Sequence, residues 1–173
     1  MRYYRYIEDL EYNTTRLEVI EYIKIHKGKI NSFWTNIDFQ DFCKFVPSIL
    51  TVFNPLNLTV KRVAFTAAVK DIGIHRDKSE SVARINLPII NCEHSITKFW
   101  KTETEPTLLH LPNGVPYLFL DEKDCTLVDS ICLNKPAVLR IAEPHSIHVQ
   151  IDKIPRISLT VEFHENIEHL LND

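Results

Sequence analysis

The sequence predicts a mainly β fold, a β-sandwich or jelly roll with helices packed on its outside. Three observations carry that expectation. After Pro55 the chain breaks into short runs rich in Val, Ile, Thr and aromatics: "LTVKRVAFTAAV" (58–69), "SVARINLPII" (81–90), "SITKFWK" (95–101), "PYLFL" (116–120), "AVLRIA" (137–142), "SIHVQI" (146–151) and "RISLTVEF" (156–163). Turn-type residues separate them: Asp-Ile-Gly, Asn-Cys-Glu-His, Pro-Asn-Gly and Asn-Lys-Pro. No long helical pattern lies between them, so the strands are expected to pair antiparallel.

The first third, about 1–57, reads as helical with some mixture. "TTRLEVIEYIKIHK" places Leu17, Ile20 and Ile23 near one face, with Thr14 or Thr15 available as a cap. "DFQDFCKFVPSILTVF" spaces Phe39, Phe42, Cys43, Val46, Ile49 and Phe53 as a core-facing helical stripe. Pro47 either kinks that segment or starts a second short helix. The strand-rich core follows over about 58–163, and "ENIEHLLND" closes the chain as a short helix over about 164–173. No internal repeat or linker divides the 173 residues, so a single domain is expected.

Composition narrows the function classes. Hydrophobic residues are 45% and charged residues 25% of the chain, the balance of a globular protein. A net charge of −3 supplies no global basic field for nucleic acid. Apolar runs fall short of a membrane span, and the start, "MRYYRYIEDLEY", has no signal-peptide stretch. The expectation is a whole, cytoplasmic chain. Only Gly28, Gly73 and Gly114 are present, which excludes a Gly-rich phosphate loop or dinucleotide fingerprint. Cys43, Cys92, Cys125 and Cys132 form no C-x-x-C and are expected to be free, buried thiols.

The chemistry concentrates in "GIHRDKSESVARINLPI" (73–89). His75 and Asp77 form H-x-D, and residues i and i+2 of an extended segment point to one side. An imidazole and a carboxylate side by side can fill two adjacent positions around a metal. One more His would complete a 2-His-1-carboxylate triad, a donor set suited to non-haem Fe(II). "LRIAEPHSIHVQIDKIPRISLTVEF" offers two, His145 and His148, which lie eleven and eight residues before Arg156. Three apart in a strand, they face opposite sides, and the eleven-residue spacing favours His145. His148 is then an exposed or neighbouring residue, or the alternative ligand.

Arg156, Ser158, Thr160 and Glu162 share one face of the last strand. A buried Arg needs an anionic partner: a protein carboxylate such as Glu162, or a dicarboxylate ligand held by the planar fork. Arg84 and Asn86 share parity after the H-x-D and are candidates for binding cosubstrate or substrate. Trp100 is a substrate-pocket candidate, with core packing as its other reading. Arg76 and Lys78 flank the pair on a solvated face, or bias the site toward an acidic or phosphorylated substrate.

The order H-x-D, a long insertion, P-H-S-I, then an Arg in "PRISL" resembles the 2-oxoglutarate/Fe(II)-dependent dioxygenases. Within that superfamily "RINLPIINCEHSITKFW" is similar to small single-domain oxygenase-like proteins of marine phage and bacterial type. A looser likeness extends to aspartyl/asparaginyl and prolyl hydroxylases. The resemblance covers about residues 60–163. It implies a double-stranded β-helix, cupin-like, with His75, Asp77 and His145 as iron ligands and no further catalytic side chain. It also implies Fe(II), 2-oxoglutarate as cosubstrate bound by Arg156 with Ser158, and hydroxylation of a small-molecule or peptide substrate. Two other readings stay open: a non-catalytic jelly-roll binding module, and a cupin-like metalloprotein that does not use 2-oxoglutarate. Neither substrate identity nor oligomeric state is legible.

Overall fold

The structure is a computed structural model that describes residues 1–30, 33–110, 114 and 116–172. In chain order its elements are β1 (Tyr4–Tyr6), α1 (Asn13–Ile25), β2 (Trp34–Asn36), α2 (Phe39–Phe45), β3 (Val60–Ala68), β4 (Ile72–Asp77) and β5 (Ala83–Ile90). Then follow β6 (Ser95–Lys101), β7 (Thr107–His110), β8 (Pro116–Phe119), β9 (Thr126–Ile131), β10 (Ala137–Arg140), β11 (His145–Val149) and β12 (Arg156–Phe163). Two antiparallel sheets result, ordered β1-β10-β5-β12-β3-β2 and β7-β8-β4-β11-β6-β9.

Side-chain alternation along β12 explains how the layers stack. Ile157, Leu159, Val161 and Phe163 enter a core with Val19, Tyr22 and Ile23 of α1 and Phe42 of α2. The helices therefore cover the outer face of the first sheet. The other parity, Arg156, Ser158, Thr160 and Glu162, is also buried, so it points into the space between the sheets. That space is filled at one end by Tyr3, Phe99, Ile131, Leu133, Leu139 and Ile141. The polar face of β12 occupies the rest.

Several sequence expectations need correction. The non-helical part of the first 57 residues includes two strands the sequence did not single out: β1 and β2 add edges to the first sheet, Tyr4 opposite Leu139 and Trp34 opposite Thr66. Three-residue strands are too short to display a period of two. In α1 the buried set is Thr15, Val19, Tyr22 and Ile23, and Leu17 is 62% exposed. Thr15 does not cap the helix; its hydroxyl takes a hydrogen bond from Ser48 at 2.7 Å. Pro47 begins a separate 3-10 turn, Pro47–Leu50, after α2, whose start Asp38 caps through the backbone N–H of Asp41 at 2.8 Å. The short closing helix is of the 3-10 type, Glu168–Leu171, with Leu171 buried; Asp173 lies outside the described residues. Pro112 and Asn113 of the expected Pro-Asn-Gly turn also lie outside them. Among the described residues, no helix is long and apolar enough to cross a membrane.

Candidate metal centre

The site begins with register. Antiparallel pairing of β11 with β4 sets His145 opposite His75, and a register shift follows before Ile147. Asp77, two residues along β4, shares the inward face of His75. His75 Nε2 and His145 Nε2 stand 3.6 and 3.8 Å from Asp77 Oδ1. One ligand atom from each of the three lies within 4.8 Å of the others.

Backbone carbonyls aim both rings. His75 Nδ1 donates to Gly73 O at 2.8 Å, and His145 Nδ1 donates to Glu143 O at 2.9 Å. With the proton fixed on Nδ1, each Nε2 presents its lone pair to the cluster. Gly73 is tightly placed as well: a Cβ there would meet the Phe119 ring at 3.3 Å. Burial and the neighbouring His145 push the His75 pKa down to about 4, against the pull of Asp77 and the Gly73 carbonyl, so the ring is neutral at pH 7.

Asp77 is held from behind. Arg84 Nη1 donates to its Oδ2 at 2.6 Å, leaving Oδ1 to face the histidines. Arg84 Nη2 pairs with Glu162, which also takes Arg62 Nε at 2.5 Å and Nη2 at 2.8 Å. Burial pushes the Glu162 carboxyl up, but the two guanidiniums outweigh it and hold the pKa below the usual carboxylate value. Arg84 also lies over the Trp34 ring, 5.0 Å from its centroid.

This donor set fits a divalent transition metal. Two imidazoles and one carboxylate converge from a single side, as a facial triad requires. Ligand atoms about 2.1 Å from one ion at right angles would stand about 3 Å apart, so the 3.6 and 3.8 Å contacts of Asp77 Oδ1 with the two imidazoles would close by less than an ångström each.

A narrow cavity of about 30 Å³ runs inward from the triad. Asn86, Thr97, Arg156 and Thr160 line it with the three cluster residues, and Leu139, Ile141 and Ile147 supply its apolar wall. Arg156 is 1% exposed and donates to two hydroxyls: Nη1 to Ser158 at 3.0 Å and Nε to Ser95 at 3.4 Å. Among the described residues, no carboxylate pairs with it. Glu162, considered for that part, serves Arg62 and Arg84 instead. Asn86 Oδ1 and Thr97 Oγ1 are buried without a hydrogen-bond partner.

The other candidates fall elsewhere. His148 lies away from the triad: Nε2 meets Ser146 Oγ at 3.1 Å and Nδ1 meets Asp71 Oδ2 at 3.2 Å. Trp100 packs with Ile74 and Leu120, on the face of the second sheet opposite to His75, and donates Nε1 to Ser146 Oγ at 2.9 Å. Arg84 is part of the cluster, but as the brace of Asp77. Sequence reasoning missed Phe33, Trp34 and Tyr117, whose rings stand around the site, with Phe33 and Tyr117 5.5 and 6.0 Å from His75. It also missed Thr97. The short strand carrying Trp34 offers no periodic signal by which to find it.

No family model and no curated protein matches the chain. Solved structures do. The non-heme alpha ketoglutarate dependent epimerase SnoN from nogalamycin biosynthesis matches with a TM-score of 0.56 at 10% identity, over 99% of this chain and 84% of SnoN. SnoN in complex with Fe3+, alpha ketoglutarate and nogalamycin RO matches at 0.51 and 11% identity, over 99% and 85%. AviO1 from Streptomyces viridochromogenes Tue57 matches at 0.51 and 7% identity, over 96% and 91%. At these identities the likeness establishes a shared jelly-roll, cupin-like fold and nothing finer.

Proposed function

We propose that the chain is an Fe(II)- and 2-oxoglutarate-dependent oxygenase acting on a small molecule. One observation carries the reading: a His-Asp-His cluster opens onto a cavity that also contains a buried Arg with no acid partner among the described residues. SnoN, which shares the fold, is described with Fe3+ and alpha ketoglutarate bound. The strand order lends further support. Strands β3, β4, β5 and β6, then β9, β10, β11 and β12, wind between the two sheets as a double-stranded β-helix would, within one domain cored at about 58–163.

In this reading His75, Asp77 and His145 hold the metal. Fe(II) with 2-oxoglutarate supplies oxygen activation for attack on a C–H bond. The protein does the rest. The Gly73 and Glu143 carbonyls keep both imidazoles in the ligating tautomer. Arg84 occupies one oxygen of Asp77 and so favours one-oxygen ligation by the other. Arg156, with the Ser158 hydroxyl, takes the far carboxylate of the cosubstrate as a charge-assisted pair. The Thr97 hydroxyl, buried without a partner, can donate to one of its remaining oxygens. Leu139, Ile141 and Ile147 exclude water from the inner wall.

The test is an anaerobic titration of 2-oxoglutarate into the Fe(II)-loaded protein, followed by the visible metal-to-ligand charge-transfer band. A saturable band that Asp77→Ala abolishes is expected. Metal binding without a band would contradict the reading in favour of a cupin-like metalloprotein. Neither metal nor band would leave a binding module. Product mass then separates hydroxylation, which adds one oxygen, from an epimerisation, which leaves the mass unchanged.

A further inference from the structure

We infer that the open cleft outside the triad selects a planar, ring-bearing substrate with an anionic group, a carboxylate or a phosphate. The inference rests on the oxygenase reading for its role in turnover, but the ligand chemistry of the cleft stands on its own walls. The cleft has a volume of about 170 Å³ and is reached from the side of Asp77. A cavity of about 150 Å³ accommodates a benzene ring, so this one has room for one ring, with its mouth free for a substituent.

The walls are of two kinds. Phe33, Trp34 and Tyr117 supply flat aromatic faces. Two of those rings also stand edge-on to His75, so a ring stacked between them would lie beside the metal ligands. Arg62, Lys78 and Arg84 supply positive charge. Arg84 is 3% exposed, and its Nε is a buried donor without a partner. Arg62 keeps half of its side chain in solvent beyond its pair with Glu162. Lys78 is exposed and, among the described residues, forms no ion pair.

Charge arithmetic favours an anion. Three cations face two carboxylates, Asp77 and Glu162, an excess of one positive charge. Fe(II) and the 2-oxoglutarate dianion would cancel each other and leave that excess in place. A neutral ring would fill the aromatic wall but leave Lys78 unpaired at its edge. A ring with an acid group meets both, the ring by stacking and the acid by Lys78 and the exposed side of Arg62.

The experiment uses the metal-free and the Fe(II)/2-oxoglutarate-loaded protein in parallel. Benzoate, phenyl phosphate and benzyl alcohol are titrated while the two tryptophan indole N–H resonances are followed by NMR. Trp34→Phe assigns the signals, and Trp100, packed on the opposite face of its sheet, is the internal control. Both anions should shift the Trp34 signal saturably, and benzyl alcohol should bind at least tenfold more weakly. The tighter of the two anions identifies the acid group as carboxylate or phosphate. Lys78→Glu, at an exposed position, should weaken both anions at least tenfold and leave benzyl alcohol unchanged. Equal affinity for the neutral and charged rings, or no shift at Trp34, would overturn the inference. A charge-transfer band without a Trp34 response would sink this inference alone; a Trp34 response without a band would sink the oxygenase reading alone.

Discussion

Arg84 donates to the outer oxygen of Asp77 at 2.6 Å, and through its other nitrogen reaches Glu162. The carboxylate that would ligate the metal is thus fixed by a guanidinium from the neighbouring sheet, which is itself anchored by an acid on β12. Hydrogen-bonded partners of metal ligands set ligand orientation and basicity. Arg84→Gln should therefore weaken Fe(II) by about tenfold to a hundredfold. Competition against a chromophoric chelator measures it. Unchanged affinity would show that Asp77 needs no brace.

The two late histidines make opposite predictions. His145→Ala should lose the metal, whereas His148→Ala should keep it, since His148 is occupied with Ser146 and Asp71. Metal content of the two purified variants decides the point. Metal retained in His145→Ala and lost in His148→Ala would reverse the ligand assignment.

Acid should destabilise the fold through His75. Its pKa is depressed in the folded state, to about 4 from 6.5. The unfolded chain therefore binds more protons between those values. Stability is present above pH 6.5 and is lost as pH falls toward 4, by up to about 3 kcal/mol from this group. Urea unfolding at pH 7 and pH 4.5 reads the loss. The drop should be smaller in His75→Gln; an equal drop would assign the acid sensitivity to other groups.

Trp100 is a packing residue with one polar tie, to Ser146. Trp100→Phe leaves the buried Ser146 hydroxyl without the indole donor. A loss of about 1–3 kcal/mol is expected, with Fe(II) affinity unchanged. Denaturant unfolding alongside a metal titration checks both. A change in metal affinity would place Trp100 within the site's influence.

The parts of this molecule that could be read from its sequence are those with short-range patterns. The alternation in "RISLTVEF" correctly divides Ile157, Leu159, Val161 and Phe163 from the polar face of β12, because a period of two is visible in eight residues. H-x-D likewise announces two inward side chains within one strand. What the sequence hid depends on register between distant strands. Glu162 stands opposite Arg62 on β3, 100 residues away, and reaches Arg84 on β5, and no local pattern foretells either pair. The same holds for Trp34, carried by a three-residue edge strand whose place beside β3 is fixed by pairing alone. In α1, Leu17 misled because the helix face is set by Thr15, Val19 and Tyr22, and a buried Thr carries no apolar signal.

The central claim is that buried Arg156 waits for a dicarboxylate beside a metal-binding triad. The most direct measurement is anaerobic calorimetry of 2-oxoglutarate binding to the Fe(II)-loaded wild type and to Arg156→Lys. Lysine keeps the charge but loses the two-pronged donor. The account predicts a tenfold to hundredfold loss of 2-oxoglutarate affinity, about 1.5–3 kcal/mol, with Fe(II) affinity unchanged. Equal 2-oxoglutarate affinity in the two proteins would contradict it.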